Sequence, residues 1–134
     1  MRLSNMADYA VVVMGAAARH CGGLRTSATA LASETGIALP TVQKLVSILS
    51  KGGLLRSVRG AGGGIQLARP AAAITLADII EAVEGPIAMT MCAGSDEASD
   101  CALDAHCRVK PHMGVVGAKV RGALHAVTLQ ELAS

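Results

Sequence analysis

Residues 26–70 read TSATALASETGIALPTVQKLVSILSKGGLLRSVRGAGGGIQLARP, and the fold is decided in this stretch. Thr26 and Ser27 offer side-chain oxygens to cap a helix over Ala28–Thr35, which stops at Gly36. A second helix begins at Pro40, tolerated there because a first-turn N–H has no partner anyway. Its apolar residues Val42, Leu45, Val46 and Leu49 recur three or four apart, the spacing of one buried face, and Gly52-Gly53 closes it. The opposite face carries Thr41, Gln43, Lys44, Ser47 and Lys51. Two short helices joined by a tight glycine-containing turn, the second polar and basic on its outer face, make a helix-turn-helix. Two strand candidates follow, LLRSV (Leu54–Val58) and IQLA (Ile65–Ala68), with RGAGGG (Arg59–Gly64) between them. Glycine permits the positive φ of a hairpin and the close approach of another backbone. A hairpin placed directly after a helix-turn-helix is a wing, and Arg59 at its base is a candidate for a minor groove. No GK[ST] and no G-x-G-x-x-G stands between a strand and a helix, which argues against a nucleotide-phosphate cradle.

Outward from this stretch, composition limits the rest. The chain has 134 residues, 51% hydrophobic and 16% charged, enough for one domain, or one small domain plus an appendage. Aromatic residues are reduced to one Tyr, with no Phe or Trp, against 25 alanines. Such a core suits closely packed helices rather than a β-sandwich, and it excludes an aromatic platform for single-stranded nucleic acid. Asp8–His20 reads as a helix buried on most sides. Its uncharged run, Tyr9–Ala18, falls short of the about 20 residues that cross a bilayer. Asp8 before that run and Arg19-His20 after it fit a signal peptide poorly, so a cytoplasmic protein without a membrane partner is expected.

Thr75 and Asp78 open a fourth helix as a capping box, with Ile74 and Ile79 placed as a hydrophobic staple and Gly85-Pro86 at its end. A last helix is expected from about His112 to Val127, followed by a turn capped by Thr128 and Glu131. Its stripe of Val116, Val120, Leu124 and Val127, beyond a domain that already has a core, points to a homodimer. Gly114, Gly117 and Gly122 interrupt that helix. The expected fold is mainly α with a small β-hairpin. It divides into a winged helix-turn-helix over 1–90, a cysteine-containing loop over 91–111, and a dimerisation helix with a C-terminal turn over 112–134.

The formal net charge is only +2, but residues 40–70 hold Lys44, Lys51, Arg56, Arg59 and Arg69 and no acid at all. A run of one sign in a nearly neutral protein is an anion-binding face unless its charges are merely solvated. Cys92, Cys101 and Cys107 form a C-x8-C-x5-C set in an irregular segment. Thiolates bind iron strongly, and a loop wraps around a cluster where a helix does not. Structural zinc sites use closer C-x2-C to C-x4-C pairs, so zinc is a weaker reading, as is a thiol switch or disulfide. Cys21 reads as a small buried hydrophobe.

The segments MRLSNMADYAVVVM, GGLLRSVRGAGGGIQLARP and ITLADIIEAVEGP, with the three-cysteine loop, resemble the winged-helix iron–sulfur regulators. That family includes the Isc regulator, NsrR and, nearest in resemblance, the Suf-system regulators. The resemblance implies a dimer that binds double-stranded operator DNA and carries a two-iron or four-iron cluster on Cys92, Cys101 and Cys107. It implies a repressor of iron–sulfur assembly or iron-homeostasis genes. The sequence carries no nucleophile elbow, paired carboxylates or cofactor fingerprint, so an enzyme is not expected. Thr41, Gln43, Lys44, Arg59 and Gly60 are the DNA-binding candidates. Some positions depart from the pattern: Pro40, Thr41 and Gln43 stand where the Isc regulator reads bases with Ser, Tyr and Glu. Ile65 replaces the wing aromatic, and Lys110 stands where a ligand histidine is expected. The fourth ligand is therefore open between Asp8 from the partner subunit, which matches the aspartate of NsrR, His106, His112, and water or a small thiol. Two alternatives accompany this reading: a cluster-free thiol-sensing regulator, and a small redox or cluster-transfer protein whose basic face docks an acidic partner.

Overall fold

The computed structural model describes residues 4–20, 25–58, 64–85 and 110–133. Cys21, Arg59, Gly60, Cys92, Cys101, His106 and Cys107 lie outside the described residues. Helix α1 (Asn5–Arg19) starts three residues before the Asp8 expected from sequence, because Ser4 caps it. The Ser4 Oγ accepts from the Ala7 N–H at 3.1 Å, while its own N–H donates to Glu84 Oε1 at 3.1 Å. Helix α2 (Ala28–Thr35) is capped by Ser27, whose Oγ accepts from the Ala30 N–H, and ends on Gly36 at φ 79°. Helix α3 (Leu39–Lys51) has no side-chain cap, and Pro40 lies in its first turn.

Strands β1 (Leu55–Val58) and β2 (Gly64–Leu67) pair antiparallel, Leu55 opposite Leu67 and Val58 opposite Gly64. A 3-10 turn over Ala71–Ala73 precedes α4 (Leu76–Glu84). The capping box is present as read: Asp78 N–H donates to Thr75 Oγ1 at 3.2 Å and Thr75 N–H to Asp78 Oδ2 at 3.0 Å. Ile74 and Ile79, its staple, are both fully buried. Helix α5 (Lys110–His125) begins and ends two residues earlier than expected. The short α6 (Leu129–Ala133) carries the Thr128–Glu131 cap, Thr128 N–H donating to Glu131 Oε2 and Glu131 N–H to Thr128 Oγ1.

Helix α1 is the centre of the molecule. It packs against α4, α6, α2, α3 and β2, and buries Ala10, Val13, Met14 and Ala16–Ala18 among Leu31, Leu45, Leu49 and Ile79. Alanines along α1 let neighbouring backbones approach closely, which is how a core with no buried aromatic reaches interior packing density. The chain end returns to this core: Leu129 is fully buried, its N–H donating to Ile74 O at 2.8 Å, and Leu76 N–H donates to Val127 O at 2.9 Å. No helix among the described residues is long and apolar enough to cross a membrane.

Candidate nucleic-acid interface

The inner face of α3 holds it to the core through Val42, Leu45, Val46 and Leu49, all buried. Its outer face is thereby fixed outward: Pro40, Gln43, Lys44, Ser47 and Lys51 are exposed, and Thr41 is half-buried at the flank. The acids flanking the 40–70 stretch in sequence are engaged elsewhere. Glu34 on α2 meets His20 Nε2 at 2.8 Å and Arg19 at 3.7 Å. Asp78 meets Arg69 Nη2 at 3.3 Å. Lys44 and Lys51 have no ion-pair partner among the described residues, so the face is positive.

Not every cation of the 40–70 stretch contributes to that field. Arg69 is neutralised by Asp78, which lies just beyond the stretch in sequence. Partial burial works to raise the Asp78 carboxyl, but the backbone and hydroxyl hydrogen bonds of Thr75 and the charges of Arg69 and His125 outweigh it. The net result is a carboxyl held below its ordinary value. Arg56 faces Gln66 across the hairpin, and in the amide orientation that satisfies both groups the Gln66 oxygen accepts from Arg56 Nε and Nη2, each at 2.8 Å. Gln66 is neutral, so Arg56 keeps its charge on the wing.

The hairpin is tied to the core by a contact that sequence reading missed. Thr26 pairs with Ile65 as a one-residue antiparallel bridge, Thr26 N–H to Ile65 O at 2.9 Å and Ile65 N–H to Thr26 O at 2.6 Å. The approach is so close that a Cβ on Gly64 would lie 2.5 Å from Thr26 O. Glycine is required there. The bridge brings Arg25, exposed, beside β2 as a further basic residue at the wing. Two residues cannot announce a strand by periodicity, which is why the sequence carried no signal of it.

A helix-turn-helix with a tied hairpin and a positive outer face is built to lie on a nucleic-acid duplex. The family model for Rrf2, an iron-dependent transcriptional regulator, matches residues 3–134. The chain belongs to the Rrf2 family. A helix-turn-helix-type transcriptional regulator, ORF2, of Azotobacter vinelandii is 38% identical over 94 residues, 70% of this chain and 57% of that protein. The transcriptional regulator IscR of Photobacterium profundum is 33% identical over 132 residues, 98% of this chain and 75% of that protein. Among solved structures, CymR, the global cysteine regulator of B. subtilis, superposes with a TM-score of 0.75 at 28% identity, covering 99% of this chain and 96% of its own. The winged-helix fold expected from sequence is thus the fold of its Rrf2 relatives, which are transcriptional regulators rather than enzymes.

The cluster ligands expected from sequence are divided by the structure. Asp8 lies exposed in the first turn of α1, and His112 exposed in the first turn of α5. Neither side chain has a hydrogen-bond partner among the described residues. Among the described residues no group of three or more His, Cys, Asp or Glu could hold a metal.

Proposed function

We propose that this Rrf2 protein is a DNA-binding repressor whose hold on its operator depends on an iron–sulfur cluster, two-iron or four-iron, carried by Cys92, Cys101 and Cys107. The observation that supports it is the C-x8-C-x5-C set of thiols between α4 and α5, in a chain matched almost end to end by a family of iron-dependent regulators. Thiolates are the donors that iron–sulfur clusters use, ordinarily four, so three cysteines leave one position to another ligand. Cys92, Cys101 and Cys107, all within residues 86–109, would supply the thiols, with a single further ligand. Asp8, reaching from the partner subunit, His106 and His112 are the protein's candidates. When bound, the cluster supplies a group whose iron and electron content changes with supply and oxidants.

The rest of the chain follows from that role. Residues 1–90 hold the DNA: Thr41, Gln43 and Lys44 from α3, Arg59 and Gly60 from the wing. Residues 91–111 hold the cluster, and 112–134 join two copies in a homodimer acting in the cytoplasm. Its targets are iron–sulfur assembly or iron-homeostasis genes.

Anaerobic purification followed by iron and sulfide analysis, a visible spectrum and DNA binding at a stated salt concentration tests the reading. Coloured protein is expected, with a different affinity for a duplex from its own promoter region before and after cluster removal. Alanine at Cys92, Cys101 or Cys107 should give colourless protein, whereas alanine at Cys21 should not. Full iron and sulfide content in Cys101→Ala would overturn it. The likeness to CymR, a cysteine regulator by its description, favours one second reading: a cluster-free regulator in which a thiol is oxidised. Colourless anaerobic protein whose DNA affinity changes on treatment with peroxide would establish that reading instead.

A further inference from the structure

A helix-turn-helix places the N-terminal residues of its second helix against base edges, and in α3 that end is made of carbon. Ala38, at the cap position, makes no side-chain cap bond. Leu39 and Pro40 follow, both exposed, Leu39 at 36%. Pro40 heads the stripe that continues through Gln43, Lys44, Ser47 and Lys51, three or four residues apart. An apolar tip on an otherwise polar and positive helix face needs an occupant that is negative around its rim and locally apolar at its floor. The major groove of duplex DNA meets both conditions: phosphates line it, and the apolar group it offers on base edges is the thymine C5-methyl.

We propose that Leu39 and Pro40 select thymine by van der Waals contact with its methyl group, one turn ahead of Gln43. The Gln43 amide suits the N6 and N7 edge of adenine. The half-site would then hold neighbouring A·T pairs, one read through carbon and the other through hydrogen bonds. This inference rests on the reading of α3 as the helix that enters the groove, and it assigns base choice to two residues without a polar side-chain atom.

The test uses the full chain as purified anaerobically and duplexes that it selects from a randomised library. Failure to enrich any sequence overturns the α3 reading and this inference with it. With an enriched duplex in hand, each thymine is replaced singly by deoxyuridine, which removes only the methyl group. The wild type should lose about fourfold in affinity per contacted methyl, the cost of one exposed methyl group, at one or two positions of each half-site. Leu39→Ala or Pro40→Ala should abolish that loss at the same positions, while Gln43→Ala should keep it. Deoxyuridine without effect on the wild type, or an effect undiminished in both variants, overturns the proposal and leaves the regulator reading standing. Thermal unfolding of each variant is followed alongside; should Leu39→Ala not fold, Pro40→Ala and the wild-type scan decide the matter.

Discussion

Helices α1 and α5 are built from similar residues and meet opposite fates. Both mix alanine, valine and glycine, and both are about four turns long. Helix α1 buries eight of its residues and is contacted by five other elements. Helix α5 buries only Gly117 among its described residues, and Val115 and Val116 stand 56% and 40% exposed. Two polar contacts help to hold α5 in place: Arg121 Nε on Glu81 Oε1 at 2.7 Å, and Thr75 Oγ1 with His125 Nδ1 at 3.2 Å. Apolar content alone therefore does not make a core helix. Helix α1 has neighbours on most sides in its own chain, leaving a strip with Tyr9 and Val12 in solvent. Among the described residues α5 packs chiefly on α4 and leaves Val115 and Val116 outward. A second copy would supply a further wall, as the proposed homodimer requires.

The contrast is broken most severely from inside the core. Leu49→Ala empties a fully buried position on α3 and is expected to cost about 2–5 kcal/mol, read by urea unfolding. Val116→Ala should change the same measurement by less than about 0.5 kcal/mol at low protein concentration, yet weaken self-association by sedimentation. Equal losses for the two variants would erase the distinction. Next in size is Gly64→Ala, where a methyl group collides with Thr26 O. A cost of about 1–3 kcal/mol is expected, accompanied by weaker DNA binding as the wing is displaced, and an unchanged melting temperature would contradict the close approach.

Smaller still is the cap shared by the two regions. Thr75→Ala removes the acceptor for the Asp78 N–H and the contact to His125, and should cost about 0.5–2 kcal/mol in thermal unfolding. Asp78 makes this dependent on pH. Its carboxyl titrates below the ordinary 3.8 in the folded protein, so its contribution is complete above about pH 4 and is lost as pH falls through the lower folded value. The stability gap between wild type and Asp78→Asn should therefore be constant from pH 7 to about 5 and close below pH 4. A gap that widens with acid has the wrong sign. The smallest effect is Arg121→Ala: its guanidinium is half exposed, so the loss should stay below about 1 kcal/mol and shrink further in high salt.

Much of the winged region was legible because its signals are local. Ser27, Gly36, Thr75 with Asp78, and Thr128 with Glu131 act on backbone groups within four residues, so their spacing reveals their work. The α3 stripe was legible for the same reason. Contacts across the chain were not. Ser4 is tied to Glu84, eighty residues away, and the turn at Ala71–Ala73 consists of three identical residues without a period to read. Arg69 looked free because the sequence window ended before Asp78. Leu39 carried no signal at all, since a leucine beside a buried stripe looks like part of that stripe until its exposure is known. The Thr26 bridge is a meeting of two backbones, in which side-chain identity matters only through the Cβ that Gly64 lacks.

The returning chain end has a mechanical consequence. Hydrogen bonds from Leu76 to Val127 and from Leu129 to Ile74 pin the chain just after α5 to the start of α4, while Lys110 lies at the far end of a rod about 24 Å long. Among the described residues the rod is held at that one end, and a rod so held is a lever. A tilt of about 5° at the Thr75–His125 fulcrum moves the Lys110 end by about 2 Å over that length, and the exposed valines, two-thirds of the way out, travel with it.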